Sequence, residues 1–305
     1  MIYLLTKKRV LFEDKNINHN IKMADIIKDL QDKQIIALDV ETDGLDPLNN
    51  KVLMLQLGTQ DGNQYVIDVR DYDIRKLKSI LEDENKIFVG HNIKFDYNML
   101  KRYDIVLKRV YDTMLSDIVI YNGYYSKDYI KKNKRFSLAG VYRHHFNKEI
   151  EKEIRNTIMS LGSKPFSYDH IIYGANDVIY PLEILKIQRQ LLNHFDLNNC
   201  AKLENKVTLA LGDIEYNGMY LNQDKWREIS RKYSKKVKKT IDKLDSILIK
   251  ADKSYRKSYY QRDLFDQSYE DRRLTNVNWS SNQQVYNILT NVFDIYPTDK
   301  YGKPS

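Results

Sequence analysis

Residues 34–45 read QIIALDVETDGL, a run of apolar residues that ends among carboxylates. The apolar part has the composition of a buried β-strand, which we predict over residues 34–40. Asp39 and Glu41 stand two positions apart near its carboxyl end, and residues at that spacing on a strand point to the same face. Two converging carboxylates require a cation, so the stretch indicates a metal site. An isolated Asp-x-Glu pair is more often a solvated turn, so this interpretation depends on the rest of the chain.

Strand-like and helix-like segments alternate through the first two hundred residues, which is the pattern of an α/β layer fold. We predict further strands at residues 51–59, 64–69 and 86–89. We predict helices at residues 23–30, 73–81, 93–103, 113–121, 137–145 and 168–192. The turn between the first two strands is rich in Asp, Gly, Pro and Asn and is too short for a helical crossover. This pair should therefore be an antiparallel hairpin within a mixed sheet.

A second acidic segment, VGHNIKFDYNML, covers residues 89–100. We interpret it as the end of a strand, a tight turn at Gly90 and the start of a helix. Asn92 and Asp96 are four residues apart, which places them on one helical face, with Asp96 directed back toward the strand ends. For this segment alone, a surface charge that interacts with the helix dipole is the favoured alternative for Asp96.

A third segment, IIYGANDVIYPLEIL, covers residues 171–185. Tyr173 and Asp177 are four residues apart and share one face of a predicted helix. A tyrosine beside a carboxylate can orient a water molecule through its hydroxyl group, while the carboxylate holds a metal ion that lowers the pKa of the water. An ordinary amphipathic helix with Tyr173 in the core explains this segment equally well.

The three segments together supply four carboxylates and no cysteine or histidine ligand set: Asp39, Glu41, Asp96 and Asp177. Oxygen ligands of this kind suit Mg²⁺ or Mn²⁺ rather than zinc. Two such ions, about 3.5–4 Å apart, are a common device for hydrolysing a phosphodiester. We therefore predict two divalent metal ions, Mg²⁺ or Mn²⁺, as cofactors and a nucleic acid as substrate.

The composition excludes several other classes of protein. The chain of 305 residues has a mean hydropathy of −0.61 and a single cysteine. It has no apolar run near the roughly 20 residues of a membrane helix, and its amino terminus lacks the order of charges of a secretory signal. We expect no membrane association, no intrachain disulfide and a cytoplasmic location, which would be the host cytoplasm if the protein is viral.

The positive charge of the chain is concentrated in one segment. Residues 225–262 contain fourteen Lys or Arg and four Asp or Glu, although the whole chain has a net charge of only +8. Apolar residues recur there at intervals of three or four, which predicts one long amphipathic helix with a positive face: Ile229, Tyr233, Val237, Ile241, Leu244 and Leu248. A solvated charged helix and a surface that binds a polyanion explain this pattern about equally well.

The three acidic segments resemble, in order and context, the motifs of the 3'→5' exonuclease domain of family A DNA polymerases, the DNA polymerase I type within the DEDD superfamily. Tyr173, four residues before Asp177, marks the tyrosine variant, because the histidine variant would have its histidine at the position of Ile172. The resemblance implies an α/β fold of the RNase H-like type with a mixed sheet. It also implies that Asp39, Glu41 and Asp177 hold one metal ion and that Asp39 and Asp96 hold the second. Tyr173 would orient the attacking water, and four residues would contact the 3'-terminal nucleotide: Thr42, Leu45, Asn92 and Phe95.

The resemblance continues more weakly after residue 200. Residues 203–222, LENKVTLALGDIEYNGMYLN, resemble the entry to the polymerase thumb, an acidic apolar helix that ends at a glycine turn before a short strand. Residues 276–289 resemble the return from the thumb to the palm. We therefore predict an exonuclease domain over residues 1–198 and a helical, basic, thumb-like DNA-binding extension over residues 199–305. We find no palm or fingers motif, so DNA synthesis by this chain alone is not expected.

These observations predict a metal-dependent 3'→5' exonuclease that acts on single-stranded or frayed DNA ends, in proofreading during DNA replication or repair. Its partners would be the 3' end of a single strand, a duplex backbone that contacts residues 225–262, and a polymerase chain that carries palm and fingers. Two alternatives remain open. One is a catalytically silent DNA-binding or scaffolding module of a split polymerase, and the other is an RNA 3'→5' exonuclease.

Overall fold

The computed structural model describes residues 1–10, 12–150, 154–257 and 273–298. The chain divides into two compact units, Met1–Gly218 and Met219–Ser305. The boundary between them falls after Gly218 and not after residue 198, because the helix Asn198–Asn217 packs against the first unit. No helix among the described residues is long and apolar enough to cross a bilayer.

The first unit is built on a seven-stranded sheet with the order β2-β1-β5-β4-β3-β6-β7. The strands are β1 (Ile2–Leu5), β2 (Ile17–Asn18), β3 (Ile35–Thr42), β4 (Val52–Thr59), β5 (Gln64–Asp68), β6 (Ile87–Gly90) and β7 (Val110–Asp112). The pairs β3–β4 and β4–β5 are antiparallel, and the remaining pairs are parallel. The predicted α/β fold, the mixed sheet and the β3–β4 hairpin are therefore confirmed.

Helices cover both faces and one edge of this sheet. They are α1 (Met23–Gln31), α2 (Lys78–Leu81), α3 (Lys94–Lys101), α4 (Thr113–Tyr121), α5 (Lys127–Asn133), α6 (Leu138–Phe146), α7 (Arg155–Met159), α8 (Tyr168–Asp177), α9 (Ile179–His194) and α10 (Asn198–Asn217). A 3₁₀ turn, Ile74–Leu77, forms the first half of the predicted helix 73–81. The single helix predicted over residues 168–192 is two helices that meet at Val178.

Strand β3 separates the two sides of the core. Ile36, Leu38 and Val40 pack on one side, in the cluster that includes residues of α1 and α3. Ala37 packs on the other side, against Val178 and other residues of α9. Because side chains alternate along a strand, Asp39 and Glu41 continue the side of Ala37, which is the side that α8 and α9 cover.

The junction of α8 and α9 lies close to the sheet at a glycine. A Cβ atom placed on Gly58 of β4 would lie 2.8 Å from Cβ and 3.1 Å from the carbonyl oxygen of Val178. The absence of a side chain at Gly58 therefore allows the main chain of the junction to approach the sheet. Val178 directly follows Asp177, so this contact also fixes the depth at which the end of α8 lies.

The second unit contains α11 (Gln223–Ala251), a 3₁₀ turn (Lys253–Tyr255) and α12 (Asn282–Phe293). Its apolar cluster joins Leu248 to Val277 and Ile288. Buried Asp245 accepts hydrogen bonds from Thr275 Oγ1 and Trp279 Nε1, both at 2.7 Å. The long basic helix predicted from the sequence is confirmed over α11, and residues 258–262 of the predicted basic segment lie outside the described residues. The short strand that follows the glycine turn in the thumb segment that this region resembles has no counterpart here, because residues 219–222 form no strand and are exposed.

We predict that Gly58→Ala lowers the free energy of unfolding by about 1–3 kcal/mol, because the new methyl group overlaps the side chain and carbonyl of Val178. The double variant with Val178→Ala should recover part of this loss, since it removes Cγ2, one of the three overlapping atoms of Val178. Chemical denaturation of the two single variants and the double variant measures this coupling. If the losses of unfolding free energy in the two single variants simply add in the double variant, the close approach of Val178 to Gly58 is not the cause of the destabilisation.

Candidate active site

Three carboxylates meet at the carboxyl end of β3. Asp39 and Glu41 extend from this strand, and Asp177 is the last residue of α8. One oxygen atom from each lies within 4.8 Å of the others. Glu41 and Asp177 are buried, with 3% and 7% of their surface exposed, and Asp39 is half-buried. Such a group of like charges is costly unless a cation or protons balance it.

Helix α8 places Tyr173 beside this group. The helix begins at Ser167, whose hydroxyl accepts a hydrogen bond from the His170 amide, while the Ser167 amide donates to His170 Nδ1 at 3.1 Å. Tyr173 and Asp177 lie one helical turn apart. Burial raises the pKa of the Tyr173 hydroxyl, and the negative charges of Asp177, Glu41 and Asp39 raise it further. The phenol therefore keeps its proton and is available as a hydrogen-bond donor.

Asp96 is as deeply buried as Glu41. Its Oδ1 accepts a hydrogen bond from the Val40 amide at 3.0 Å, and only 3% of its surface is exposed. Strand β3 pairs with β6 only as far as Ala37, and beyond that point α3 covers this side of β3. Burial raises the pKa of Asp96 well above its ordinary value, and the charges of Glu41 and Asp112 add to the rise. Asp96 lines the same cleft but lies outside the group of three.

The acids line a cleft of about 480 Å³ between the end of β3, the turn after β6, α8 and the segment that leads into α6. Leu45 is 68% exposed at its rim, and Asn92 and Phe95 also line it. Thr42 does not line the cleft, and its hydroxyl donates to the Gly44 carbonyl at 2.6 Å. Three of the four residues expected to contact the terminal nucleotide therefore face this cleft.

Asn92 is not on a helix, contrary to the sequence-based expectation. Its φ of 61° is left-handed, and α3 begins only at Lys94. Asp112, at the end of β7, holds this turn because its carboxylate accepts hydrogen bonds from the amides of Asn92 at 3.0 Å and Ile93 at 3.1 Å. The same carboxylate caps α4 by accepting from the Met114 amide at 2.8 Å. The turn, rather than a spacing of four, sets the position of Asn92.

Two residues that position the cleft were missed in the sequence. Asp112 directly precedes α4, and an aspartate immediately before a predicted helix indicates an N-cap. His91 joins two walls of the cleft: its Nδ1 lies 2.9 Å from Thr113 Oγ1 and its Nε2 lies 3.0 Å from the Phe136 carbonyl oxygen. No sequence pattern around residue 136 predicts the contact with the Phe136 carbonyl, because this contact depends on the tertiary fold.

The donor chemistry of the group fits a hard divalent cation. Asp39, Glu41 and Asp177 offer only carboxylate oxygens, which are preferred ligands of Mg²⁺ and Mn²⁺. Their mutual proximity within 4.8 Å is that of ligands arranged around one ion. These three acids are the ones that the resemblance assigns to the first metal ion.

The α/β fold and the acidic cleft fit a metal-dependent nuclease, and comparison with known proteins specifies the family. A family model described as 3'-5' exonuclease, that of the DNA polymerase A exonuclease domain, matches residues 15–193. The chain therefore belongs to the 3'→5' exonuclease family of DNA polymerase I, and the sequence-based assignment is confirmed.

Curated relatives and solved structures agree with this family. DNA polymerase I of Aquifex aeolicus is 28% identical over 190 residues, which are 62% of this chain and 29% of that protein. DNA polymerase I of Pseudomonas aeruginosa is 26% identical over 234 residues, 69% of this chain and 24% of that protein. The chain thus spans about a quarter of the length of the curated relatives it matches.

The solved structures show the shared fold. Escherichia coli RNase D, described as an exoribonuclease involved in structured RNA processing, has a TM-score of 0.55 and 18% identity, and covers 68% of this chain and 52% of its own. Brucella melitensis NrnC bound to pGG has a TM-score of 0.53 and 19% identity, and covers 62% and 88%. These likenesses confirm the RNase H-like exonuclease fold.

We predict that Mn²⁺ raises the unfolding temperature of the protein, because a ligand that binds only the folded state stabilises it, by about 2.7 kcal/mol at 100 times its Kd. Asp177→Asn should remove most of this shift, since it removes one of the three ligands. Asp169→Asn changes an exposed acid on the same helix and should keep the full shift. Thermal scans with Mn²⁺ and with EDTA test this, and equal shifts in both variants would contradict the assigned site.

Proposed function

We propose that this chain is a metal-dependent 3'→5' exonuclease that removes nucleotides from the ends of single-stranded or frayed DNA, in proofreading during replication or repair. The observation that carries the proposal is the convergence of Asp39, Glu41 and Asp177 beside Tyr173 in one cleft. Asp96 in the same cleft supports a second ion position, shared with Asp39. A scaffolding role alone would need none of these acids to converge.

The acids and Tyr173 of the cleft have different roles in the proposed hydrolysis. Bound divalent ions would lower the pKa of a water molecule and stabilise the charge that develops on the phosphate. The Tyr173 hydroxyl forms a hydrogen bond with the attacking water, as donor or as acceptor. This hydrogen bond orients the water for attack on phosphorus. A tyrosine hydroxyl is protonated at neutral pH already at its ordinary pKa of about 10, so Tyr173 acts by orientation and not as a base.

The rim of the cleft supports recognition of a chain terminus. Leu45 is an exposed leucine beside the acids, and a terminal base can pack against it without sequence preference. Phe95 offers a further apolar surface, although it lacks the hydroxyl of the tyrosine often found at this position. Asn92, in the turn that Asp112 holds, presents an exposed amide to the sugar or base.

DNA is the substrate that we favour, because the curated relatives are DNA polymerases and because the second unit carries a basic helix. RNA is the second candidate, since RNase D has the same fold and is described as an exoribonuclease. We further propose that the exonuclease works beside a family A polymerase module, because the curated relatives are DNA polymerases and this chain spans about a quarter of their length.

We predict that the protein shortens a 5'-labelled single-stranded DNA from its 3' end with Mg²⁺ or Mn²⁺, and that Asp39→Ala abolishes the products. Tyr173→Phe should lower kcat by about 10²-fold with little change in KM, because the water loses its orienting hydroxyl. Tyr168→Phe changes an exposed tyrosine on the same helix and serves as the matched control. A parallel digestion of an RNA of the same sequence decides the substrate. Tight DNA binding without products in either metal would favour the scaffolding role.

We propose that α11 binds the phosphate backbone of DNA, because it is exposed from Gln223 to Thr240 and is rich in lysine. Lys232, Lys235 and Lys239 are three or four positions apart and share one face. Replacing all three with alanine should weaken duplex binding and reduce the slope of log K against log salt by about 0.9 for each lost phosphate contact.

Fluorescence anisotropy over a salt series measures this slope. The matched control replaces three exposed lysines of the first unit, Lys28, Lys76 and Lys78, and therefore changes the net charge equally. If both triple variants reduce the slope by the same amount, binding follows net charge and α11 has no special role.

A further inference from the structure

A cluster of tyrosines lies between α4 and α6, outside the acidic cleft. The segment of residues 121–135 reads YNGYYSKDYIKKNKR. We call its four aromatic rings the tyrosine platform: Tyr121, Tyr124, Tyr125 and Tyr129. Tyr124 and Tyr125 have ring centroids 4.9 Å apart, and Tyr125 and Tyr129 stack at 4.9 Å with an interplanar angle of 11°. Tyr124 is 77% exposed and Tyr129 is 46% exposed.

The buried cation Arg135 packs against the rings of the platform. The guanidinium of Arg135 lies 4.9 Å from the ring centroid of Tyr121 and 5.2 Å from that of Tyr125. Arg135 is 3% exposed, and its Nη1 donates to Asp117 Oδ2 at 2.6 Å. Asp117 also accepts from His145 Nε2 at 2.6 Å. Cation–π contacts with Arg135 therefore fix the rings of Tyr121 and Tyr125, and the buried ion pair with Asp117 fixes Arg135. The exposed rings of Tyr124 and Tyr129 pack against this fixed group.

The platform carries the charge that a polyanion requires. Four exposed lysines lie on or next to α5, among the tyrosines: Lys127, Lys131, Lys132 and Lys134. Asp128 is the only acid between residues 121 and 135. Exposed aromatic rings with interspersed lysines form the kind of surface on which single-stranded nucleic acids stack their bases while their phosphates contact the cations.

The platform also adjoins the active-site cleft. Arg135 is followed by Phe136, and the guanidinium lies 5.2 Å from the Phe136 ring. Phe136, Ser137 and Leu138 line the cleft, and the Phe136 carbonyl is held by His91, the neighbour of Asn92. The platform thus connects to the wall of the cleft through Arg135 and Phe136, which are consecutive in the chain and in contact.

We propose that the tyrosine platform binds the bases of the single strand upstream of the terminal nucleotide, with Tyr124 and Tyr129 as the stacking residues. This inference rests on the proposed exonuclease function, because it assigns a substrate site to the same cleft. Core packing does not explain the platform, since a side chain that is 77% exposed buries too little surface to stabilise the fold. A duplex end offers no unpaired bases to these rings, so the platform favours single-stranded over paired DNA.

The test uses the dependence of activity on substrate length. For 5'-labelled single strands of two to twelve nucleotides, wild-type kcat/KM should rise with length once the strand reaches the platform. In the Tyr124→Ala/Tyr129→Ala double variant, the ratio of kcat/KM for the twelve-nucleotide strand to that for the dinucleotide should fall about tenfold or more, because base–aromatic stacking is lost. Tyr124→Phe/Tyr129→Phe keeps the rings and should keep the ratio.

Two controls separate stacking on the platform from a general loss of aromatic surface and from a folding defect. Phe195→Ala removes an exposed aromatic ring elsewhere in the first unit and should leave the ratio at its wild-type value. Equal unfolding temperatures of the variants exclude a folding defect. An unchanged ratio in the Ala/Ala variant overturns the proposal and would leave the platform as a surface for a protein partner.

Binding without cleavage distinguishes failure of the platform from failure of the exonuclease. Anisotropy of a labelled twelve-nucleotide strand with Ca²⁺ in place of Mg²⁺ should show a Kd at least tenfold higher for the Ala/Ala variant than for wild type. If no substrate is cleaved but this difference appears, the platform stands and the exonuclease proposal fails. If cleavage occurs and neither Kd nor the length dependence changes, the platform proposal fails alone.

Discussion

The repulsion among three carboxylates within 4.8 Å is the constraint on which the first unit depends. Without a bound cation, this repulsion would drive flexible side chains apart, so the elements that carry them must be rigid. Asp39 and Glu41 lie on β3, which has neighbours on both edges and apolar packing on both faces. Asp177 is fixed by the next residue, because Val178 is buried against Gly58 of β4. The core thus maintains an arrangement that the charges themselves oppose.

The parallel arrangement of β3, β6 and β7 brings the other functional groups to the same end of the sheet. Strand β6 ends at Gly90, where the turn with Asn92 begins, and β7 ends at Asp112. Asp112 is nearly fully buried, and this burial raises its pKa although several main-chain amides donate to it. A buried acid therefore holds the loop that carries Asn92 at the edge of the cleft. The carboxyl ends of parallel strands are where α/β proteins generally place their ligands.

Much of this arrangement could be predicted from local sequence patterns. The apolar run of β3, the alternation that puts Asp39 and Glu41 on one face, and the length of α11 depend on periodicities of two and 3.6 residues. The remaining features depend on tertiary contacts that leave no local pattern. The break at Val178 follows from the close approach to Gly58, and the left-handed turn at Asn92 follows from the hydrogen bonds to Asp112. Strands β1 and β7 are four and three residues long, too short to show a periodicity. Helix α10 packs on the first unit through residues far away in the sequence, and no local pattern shows this packing.

If the substrate is a nucleic acid, the acidic cleft alone cannot provide the binding affinity, and surfaces outside the cleft have to bind the strand. A nucleic acid brings phosphates toward four carboxylates, so the cleft itself contributes repulsion until cations are bound. On the proposed function, affinity comes from surfaces outside it: the tyrosine platform through stacking, and the lysines of α5 and α11 through the phosphates. Stacking is insensitive to sequence but requires unpaired bases, whereas phosphate contacts do not distinguish single strands from duplexes. A mismatched end frays more readily than a paired one and so exposes bases to the platform more often. If the proposed platform binds these bases, a preference for mismatched DNA would follow from the availability of unpaired bases, without any group that recognises the mismatch itself.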